Sequence, residues 1–349
     1  MQHFACNSAA RAAAIAVATL CLAAGALGAH AQSVAEFYKG RQLSLIVFTG
    51  AGSTYDIYAR VLARHLGDHI AGKPTVIVQN MPGAGGLKVE EYLYRIAPKD
   101  GSVIGTIGRG LPFEPMLGQN GINVDPLKFT WLGSMNRDMS LAMSWHTSKV
   151  KTFADLQHHQ LLVPGTGAGA DSEIMPLAFN RLAGTKFKII EGYRDTAVAA
   201  LAMERGELDG LSYWSWSAIM AAHPDWVRDK MVNLLFETGV DPIPEAPEVP
   251  RIRQLVTDPT SRRALEFLLA REIIGRPFLA PPDLPPDRAA TLRTAFAATL
   301  RDAAFLEDAK KTRLDISLVK GQQVDALLKD GASAPPEVLE LVKEALGRK

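Results

Sequence analysis

Cysteine is almost missing from this chain. Of 349 residues only Cys6 and Cys21 are cysteines, and both precede residue 32. From residue 32 onward no thiol can pair, bind a metal or attack a substrate, which excludes a disulfide scaffold, a cysteine-ligated metal and a cysteine nucleophile. Long apolar runs are missing over the same span: nothing approaches the roughly 18 uninterrupted apolar residues of a membrane helix. An excess of charge is missing too. Arg11 is the only lysine or arginine before residue 32 and no acid lies there, so the 38 basic residues of the whole chain become 37, matching its 37 acids. A balanced chain gives no broad basic surface for nucleic acid, which needs clustered positive charge.

Several catalytic signatures are also lacking. No Gly-Lys-Ser/Thr occurs, so there is no Walker loop; no His-Glu-x-x-His occurs, so there is no helix-borne zinc pair; no Gly-x-Ser-x-Gly elbow occurs. His158 and His159 are adjacent, so on a helix they point to different faces and read as helix-end histidines rather than a metal pair. No cofactor or metal is expected.

The first 31 residues differ from the rest. Arg11 precedes an Ala/Val/Leu-rich run from Ala12 to Ala29, and the segment closes on Ala29-His30-Ala31. Charge, apolar core and small-residue cleavage site are the parts of a secretory leader, so residues 1–31 read as a signal peptide cleaved after Ala31, with the mature protein in the periplasm. The remaining chain, about 318 residues, suffices for two domains of ordinary size.

What is plentiful is glycine at strand–helix junctions. Leu43 to Phe48 reads as a buried strand, and Thr49-Gly50-Ala51-Gly52-Ser53-Thr54-Tyr55-Asp56 as a turn that opens a helix. Tyr58, Leu62, Leu66 and Ile70 then recur every four residues on one face of that helix. A second strand, Thr75 to Val78, leads into Pro82-Gly83-Ala84-Gly85-Gly86, with a helix expected from Leu87 to about Ile96. A third strand, Val103 to Ile107, ends at Gly108-Arg109-Gly110. Later the pattern returns. Leu161 to Val163 feeds Thr166-Gly167-Ala168-Gly169-Ala170-Asp171-Ser172, Phe187 to Ile190 ends at Gly192-Tyr193, and Leu208 to Tyr213 ends at Tyr213-Trp214. Two sets of strand–turn–helix units indicate two α/β domains. Each turn aims helix N–H groups at one point, which suits an anion.

The first turn also invites a dinucleotide reading through its Gly50-x-Gly52. Its third glycine is replaced by Tyr55, and no acid follows the second strand, which ends Val78-Gln79-Asn80, so the ribose-binding carboxylate is missing. Glycines that merely allow tight turns are the plain alternative for any one junction; three junctions of the same kind favour a shared site. Arg109 is a candidate bidentate clamp for a carboxylate, against the alternative of a surface arginine. Tyr193, Tyr213 and Trp214 are candidate pocket walls, against the alternative of core packing.

Gln79-Asn80-Met81-Pro82-Gly83-Ala84-Gly85-Gly86, Ala97-Pro98-Lys99-Asp100-Gly101, Asp56-Ile57-Tyr58-Ala59-Arg60, Gly192-Tyr193 and Gly206-Glu207-Leu208-Asp209 together resemble the Bug family, the extracytoplasmic solute receptors of tripartite tricarboxylate transporters. The resemblance covers nearly the whole chain after residue 31. It implies an α/β, type II-like periplasmic binding protein of two lobes, each a mixed, mostly parallel sheet flanked by helices, with a ligand cleft between them. On that reading lobe 1 comprises residues 32–133 and 270–349, lobe 2 residues 134–269, and the hinge strands lie near 129–145 and 271–280. It also implies a small organic acid held by both lobes, delivery to integral-membrane transporter subunits, a monomer and no catalysis. An exported α/β enzyme using the same cleft, or a binding protein acting in sensing, are the alternatives.

Against the family pattern, Tyr55 stands where serine is usual, Asp171 where serine or threonine is, Tyr213 and Trp214 where an acid is, and Arg109 where a small polar residue is. These departures point away from a citrate-like ligand. They suggest a monoanion with its carboxylate near Arg109 and an apolar or aromatic body against Tyr193 and Trp214.

Overall fold

The computed structural model describes residues 33–118, 124–167, 170–194, 196–240 and 242–348. The signal-peptide reading and the turn residues Ala168 and Gly169 therefore lie outside the described residues.

The elements run in order α1 (Val34–Tyr38), β1 (Gln42–Val47), α2 (Thr54–Leu66), β2 (Thr75–Asn80), α3 (Leu87–Glu91), β3 (Val103–Thr106), β4 (Thr130–Ser134) and β5 (Ser140–Trp145). There follow α4 (Phe153–His158), β6 (Leu161–Pro164), α5 (Asp171–Ala183), β7 (Phe187–Ile190), α6 (Thr196–Glu204), β8 (Gly210–Ser215), α7 (Trp216–Ala222), α8 (Pro224–Arg228) and β9 (Val232–Glu237). The chain finishes with α9 (Ile252–Leu255), α10 (Pro259–Leu269), β10 (Pro277–Ala280), α11 (Pro286–Thr299), α12 (Ala303–Lys311), β11 (Val319–Lys320), α13 (Gly321–Ala332) and α14 (Pro336–Ala345).

The first lobe is built on a six-stranded sheet of order β11-β4-β10-β3-β1-β2. β1 pairs in parallel with β2 and β3, while β10 runs antiparallel to both β3 and β4. Alternation along β1 explains why it is covered on both faces. Leu43, Leu45 and Val47 turn to one side and pack with Tyr58, Leu62 and Leu66 of α2 and Phe296 of α11. Ile46 turns to the other side and joins Val89, Leu93 and Phe113. Such period-two patterning with both faces apolar is what a central strand of an α/β sheet requires.

The second lobe holds a three-stranded sheet, β8-β5-β9, and a two-stranded one, β6-β7. Here parallel pairing is confined to β6 and β7; β5 is antiparallel to both its neighbours. Asp209 stitches the two sheets together: its backbone N–H donates to Leu162 O and its carboxylate accepts from the Leu162 N–H. Phe179 of α5 packs against Phe236 of β9 and Phe187 of β7, with ring centroids 5.0 and 6.3 Å apart.

The carboxyl-terminal helices divide between the lobes. α11 and α13 pack on β4, and α12 on α2, whereas α14 lies against α5 and α10 of the second lobe and the tight turn Leu111–Leu117 of the first. Residues 336–345, expected with the first lobe, thus touch elements on both sides of the cleft. Among the described residues no helix is long and apolar enough to cross a membrane.

Candidate functional site

A cleft of about 650 Å³ opens between the lobes, where the carboxyl ends of β1, β3, β6 and β8 face one another. Open α/β sheets place ligands at this point because loops there carry helix N-termini and free N–H groups.

The first turn supplies Thr49, Ser53, Thr54 and Tyr55 to the cleft wall. The hydroxyls of Thr49 and Ser53 lie 2.5 Å apart, and Ser53 also caps α2 by accepting the Asp56 N–H. Asp56 turns inward instead. Its carboxylate accepts from the Gly52 N–H (2.8 Å), Asn80 Nδ2 (2.8 Å) and Arg60 Nε (2.8 Å). Burial alone would push the Asp56 carboxyl up, but Arg60, Gly52 and Asn80 together hold it below the usual carboxylate range. Asn80 Nδ2 donates in addition to Thr49 O, so Asp56, Arg60 and Asn80 staple the first turn to the end of β2. Gly50, Ala51 and Gly52 are not cleft-lining. Of the second turn Ala84 lines the cleft, while Pro82 and Gly83 are exposed outside it, and Gly85 falls within the tight turn Ala84–Gly86.

Tyr55 explains its own departure from serine. Its hydroxyl donates to Gly275 O (3.2 Å) and accepts from the Arg109 N–H (3.3 Å), and its ring lies under the Arg276 guanidinium at 4.7 Å. It ties the first turn to the segment that returns from the second lobe.

Arg109 is buried, with 7% of its surface exposed. Nε donates to Asp171 Oδ2 (3.2 Å), Nη2 to Ser140 Oγ (3.0 Å), and the guanidinium sits 5.0 Å from the Tyr213 ring centre. Nη1 is 4.0 Å from Asp138 Oδ2 and has no hydrogen-bond acceptor among the described residues. Asp171 also receives Arg271 Nη1 on Oδ1 at 2.9 Å. Burial pushes the Asp171 carboxyl up, but Arg271 and Arg109 outweigh it and hold the group ionised, below the usual range. Arg276 pairs with Asp138 at 2.9 Å, and Ser215 Oγ donates to the same Asp138 oxygen at 2.6 Å.

Behind this layer, Tyr213 donates to Glu272 Oε1 (2.9 Å), which also accepts from Thr238. Burial pushes the Glu272 carboxyl up to about 7 against the pull of Arg109 and of these hydrogen bonds. On the second-lobe wall, Thr166 and Ser172 hydroxyls pair at 2.8 Å. α5 begins there with no side-chain cap on its N-terminus, since the N-cap position is Ala170.

The cleft therefore gathers Thr49, Ser53, Thr54, Tyr55, Ala84, Arg109, Thr166, Asp171, Ser172, Tyr213 and Trp214. Gly167 and Tyr193 instead line a smaller side pocket of about 280 Å³ with Glu173 and Glu191. Sequence reasoning missed Arg271 and Arg276, which both line the cleft. A signal was present: Arg271-Glu272-Ile273-Ile274-Gly275-Arg276-Pro277-Phe278 sets three charges inside an apolar run, where ionised side chains need partners.

Two α/β lobes around a cleft at their strand ends define the two-lobed periplasmic-binding-protein fold. Within that class the chain superposes on BugD, a periplasmic binding protein, with 20% identity and a TM-score of 0.67 over 88% of this chain and 98% of that one. It superposes similarly on a TctC solute-binding protein from Polaromonas (19% identity, TM-score 0.65, 88% and 99% covered). MatC from Rhodopseudomonas palustris, solved with bound malate, gives 18% identity and a TM-score of 0.64 over 87% and 99%. In sequence, 37% identity over 114 residues links the chain to the UPF0065 protein in gbd 5'region of Cupriavidus necator. That stretch is 33% of this chain and 33% of that relative, so the match spans about a third of the relative's length. No protein-family model matches the chain.

Proposed function

We propose that this protein is a solute receptor of the Bug type. It is exported to the periplasm, captures a small organic carboxylate between its lobes and delivers it to a tripartite tricarboxylate-type membrane transporter. In this reading the lobes divide near residues 134 and 270, with the hinge strands between them, and the receptor works as a monomer. The observation that carries it is the convergence, in one interlobe cleft, of Arg109 and Arg271, the uncapped N-terminus of α5 and hydroxyl pairs from both lobes. Guanidiniums and helix N-termini are the groups proteins use for carboxylates. Because contacts come from both lobes, a ligand makes more of them in the closed state and so favours closure. The malate in the MatC structure supports a carboxylate for this fold.

No reaction is part of this proposal. Ser53 and Ser172 pair with threonines, and Ser215 donates to an aspartate already held by Arg276; none is set up with a proton acceptor poised to activate it. Native mass spectrometry of the protein as purified, followed by identification of the released molecule, tests the reading. An organic acid released unchanged supports it; a nucleotide, or turnover of the released compound by the protein, refutes it. Export is tested by fractionation and amino-terminal sequencing, with Gln32 expected as the first residue of the mature form.

A further inference from the structure

Asp171 is a carboxylate placed where a receptor for carboxylates needs positive potential. It is the first residue of α5, at a helix end that no side chain caps. Its two oxygens engage Arg271 Nη1 at 2.9 Å and Arg109 Nε at 3.2 Å. The aspartate thus uses up much of the donor capacity that a bound anion would otherwise meet. The remaining ionised groups of the wall are matched: Arg276 by Asp138 at 2.9 Å and Glu114 by Arg348 at 2.7 Å. Two guanidiniums share Asp171, with Asp138 4.0 Å from Arg109 Nη1 and Glu272 behind Tyr213 as the other acids of the cluster. Among the described residues Arg109 Nη1 and Arg271 Nη2 have no hydrogen-bond acceptor, so the two guanidiniums keep donor capacity that Asp171 does not take up.

The rest of the cleft wall mixes apolar Phe48, Leu87, Leu111 and Leu211 with hydroxyls, and its remaining cation, Arg276, is already paired with Asp138. One ligand carboxylate can be matched beside Arg109 and Arg271. A second would either approach Asp171 or lie against this wall without a counter-ion, and both are unfavourable.

We infer that Asp171 is the specificity-determining residue of the cleft: it stands in for one ligand carboxylate, so the receptor selects monocarboxylates with an apolar body and rejects dicarboxylates. The inference rests on the carboxylate-receptor reading above and sharpens it to a substrate class.

The test compares hexanoate with adipate, six-carbon chains that differ by one terminal carboxylate, by isothermal titration calorimetry on the mature chain. Phenylacetate and malate serve as a second mono- and dicarboxylate pair. The wild type is expected to bind the monocarboxylate of each pair at least tenfold more tightly. Asp171→Asn keeps the shape and frees a positive charge, so the adipate-to-hexanoate affinity ratio should rise at least tenfold. Asp171→Ser, which keeps an oxygen at the helix start, should shift the ratio the same way and covers the case in which the asparagine variant fails to fold. Preference of the wild type for adipate or malate overturns the role of Asp171 while leaving a carboxylate receptor standing. So does an unchanged ratio in both variants. Failure of all four acids to bind any of the proteins overturns the receptor reading and the specificity assignment together.

Discussion

Glu90 offers a sharp test of the packing beneath the cleft. It stands on α3, fully buried, and among the described residues neither of its carboxylate oxygens has a hydrogen-bond partner. Burial pushes its carboxyl up from 4.5 to about 7, and the neighbouring Glu114 and Glu91 push the same way. Between those two values the folded protein keeps a proton that the unfolded chain has released. The favourable contribution of the protonated group is therefore complete below about pH 4.5 and is lost as pH rises through about 7. A shift of that size corresponds to roughly 3 kcal/mol at full ionisation, of which roughly 2 to 3 kcal/mol falls between pH 5 and 8. Glu90→Met removes the titration while keeping an unbranched side chain of similar volume. Urea unfolding followed by tryptophan fluorescence at pH 5, 6, 7 and 8 reads the effect. Groups common to both proteins, Glu272 among them, cancel in the difference. The variant should gain roughly 2 to 3 kcal/mol on the wild type as pH rises from 5 to 8. Stability curves that stay parallel across that range would refute the argument, because a Glu90 that ionises freely in the folded state cannot be buried without a partner.

Other changes follow from the same geometry. A Cβ added to Gly110 would meet Arg271 Nη1 at 2.6 Å, so Gly110→Ala should push Arg271 off Asp171; the affinity for hexanoate should fall about tenfold by calorimetry, with about 1 to 3 kcal/mol of overpacking cost in urea. Arg276→Met leaves Asp138 buried with its guanidinium gone, and about 3 to 5 kcal/mol of stability should be lost in the same unfolding assay. Lys99 and Asp283, by contrast, meet at 2.8 Å on the surface, so Lys99→Ala should change stability by less than about 1 kcal/mol.

Much of the architecture was legible because it is written in short-range patterns. β7 occupies Phe187–Ile190, the span its apolar run and following glycine indicate, and the β1–α2 junction follows from a Ser53 cap and a four-residue apolar stripe. β9 was not legible: Val232–Glu237 follows Arg228-Asp229-Lys230-Met231, and its burial depends on pairing with the distant β5. α13 was hidden by Gly321 and Gly331 at its ends, although both are glycines for a reason of space. A Cβ at Gly321 would lie 2.1 Å from Trp131 O, and one at Gly331 3.2 Å from Met116 Sδ. A hinge strand is expected near residues 271–280, yet the chain winds as a tight turn through Ala270–Ile274 and extends only over Pro277–Ala280, since Arg271 and Glu272 are drawn inward to their partners. In the site, the positions of the glycine turns could be read, because strand–turn–helix junctions are local. The partners of Arg109 could not. Asp171 lies 62 residues away and Ser140 31 residues away, and no periodicity encodes such distances.

The helix α14 has a consequence for motion. The chain passes from the first sheet to the second between β4 and β5 and returns between β9 and β10, and α14 then lies against elements on both sides of the cleft. Two crossings define an axis about which lobes can swing; a helix that touches both sides limits the swing. The link from Ala332 to Pro336 contains only Ser333, Ala334 and Pro335, and at full extension it spans about 14 Å. Arg348, just beyond α14, is tied to Glu114 of the first lobe at 2.7 Å, which shortens the tether further. Opening of the cleft is thus limited by a three-residue backbone link and a salt bridge that both bear on one helix.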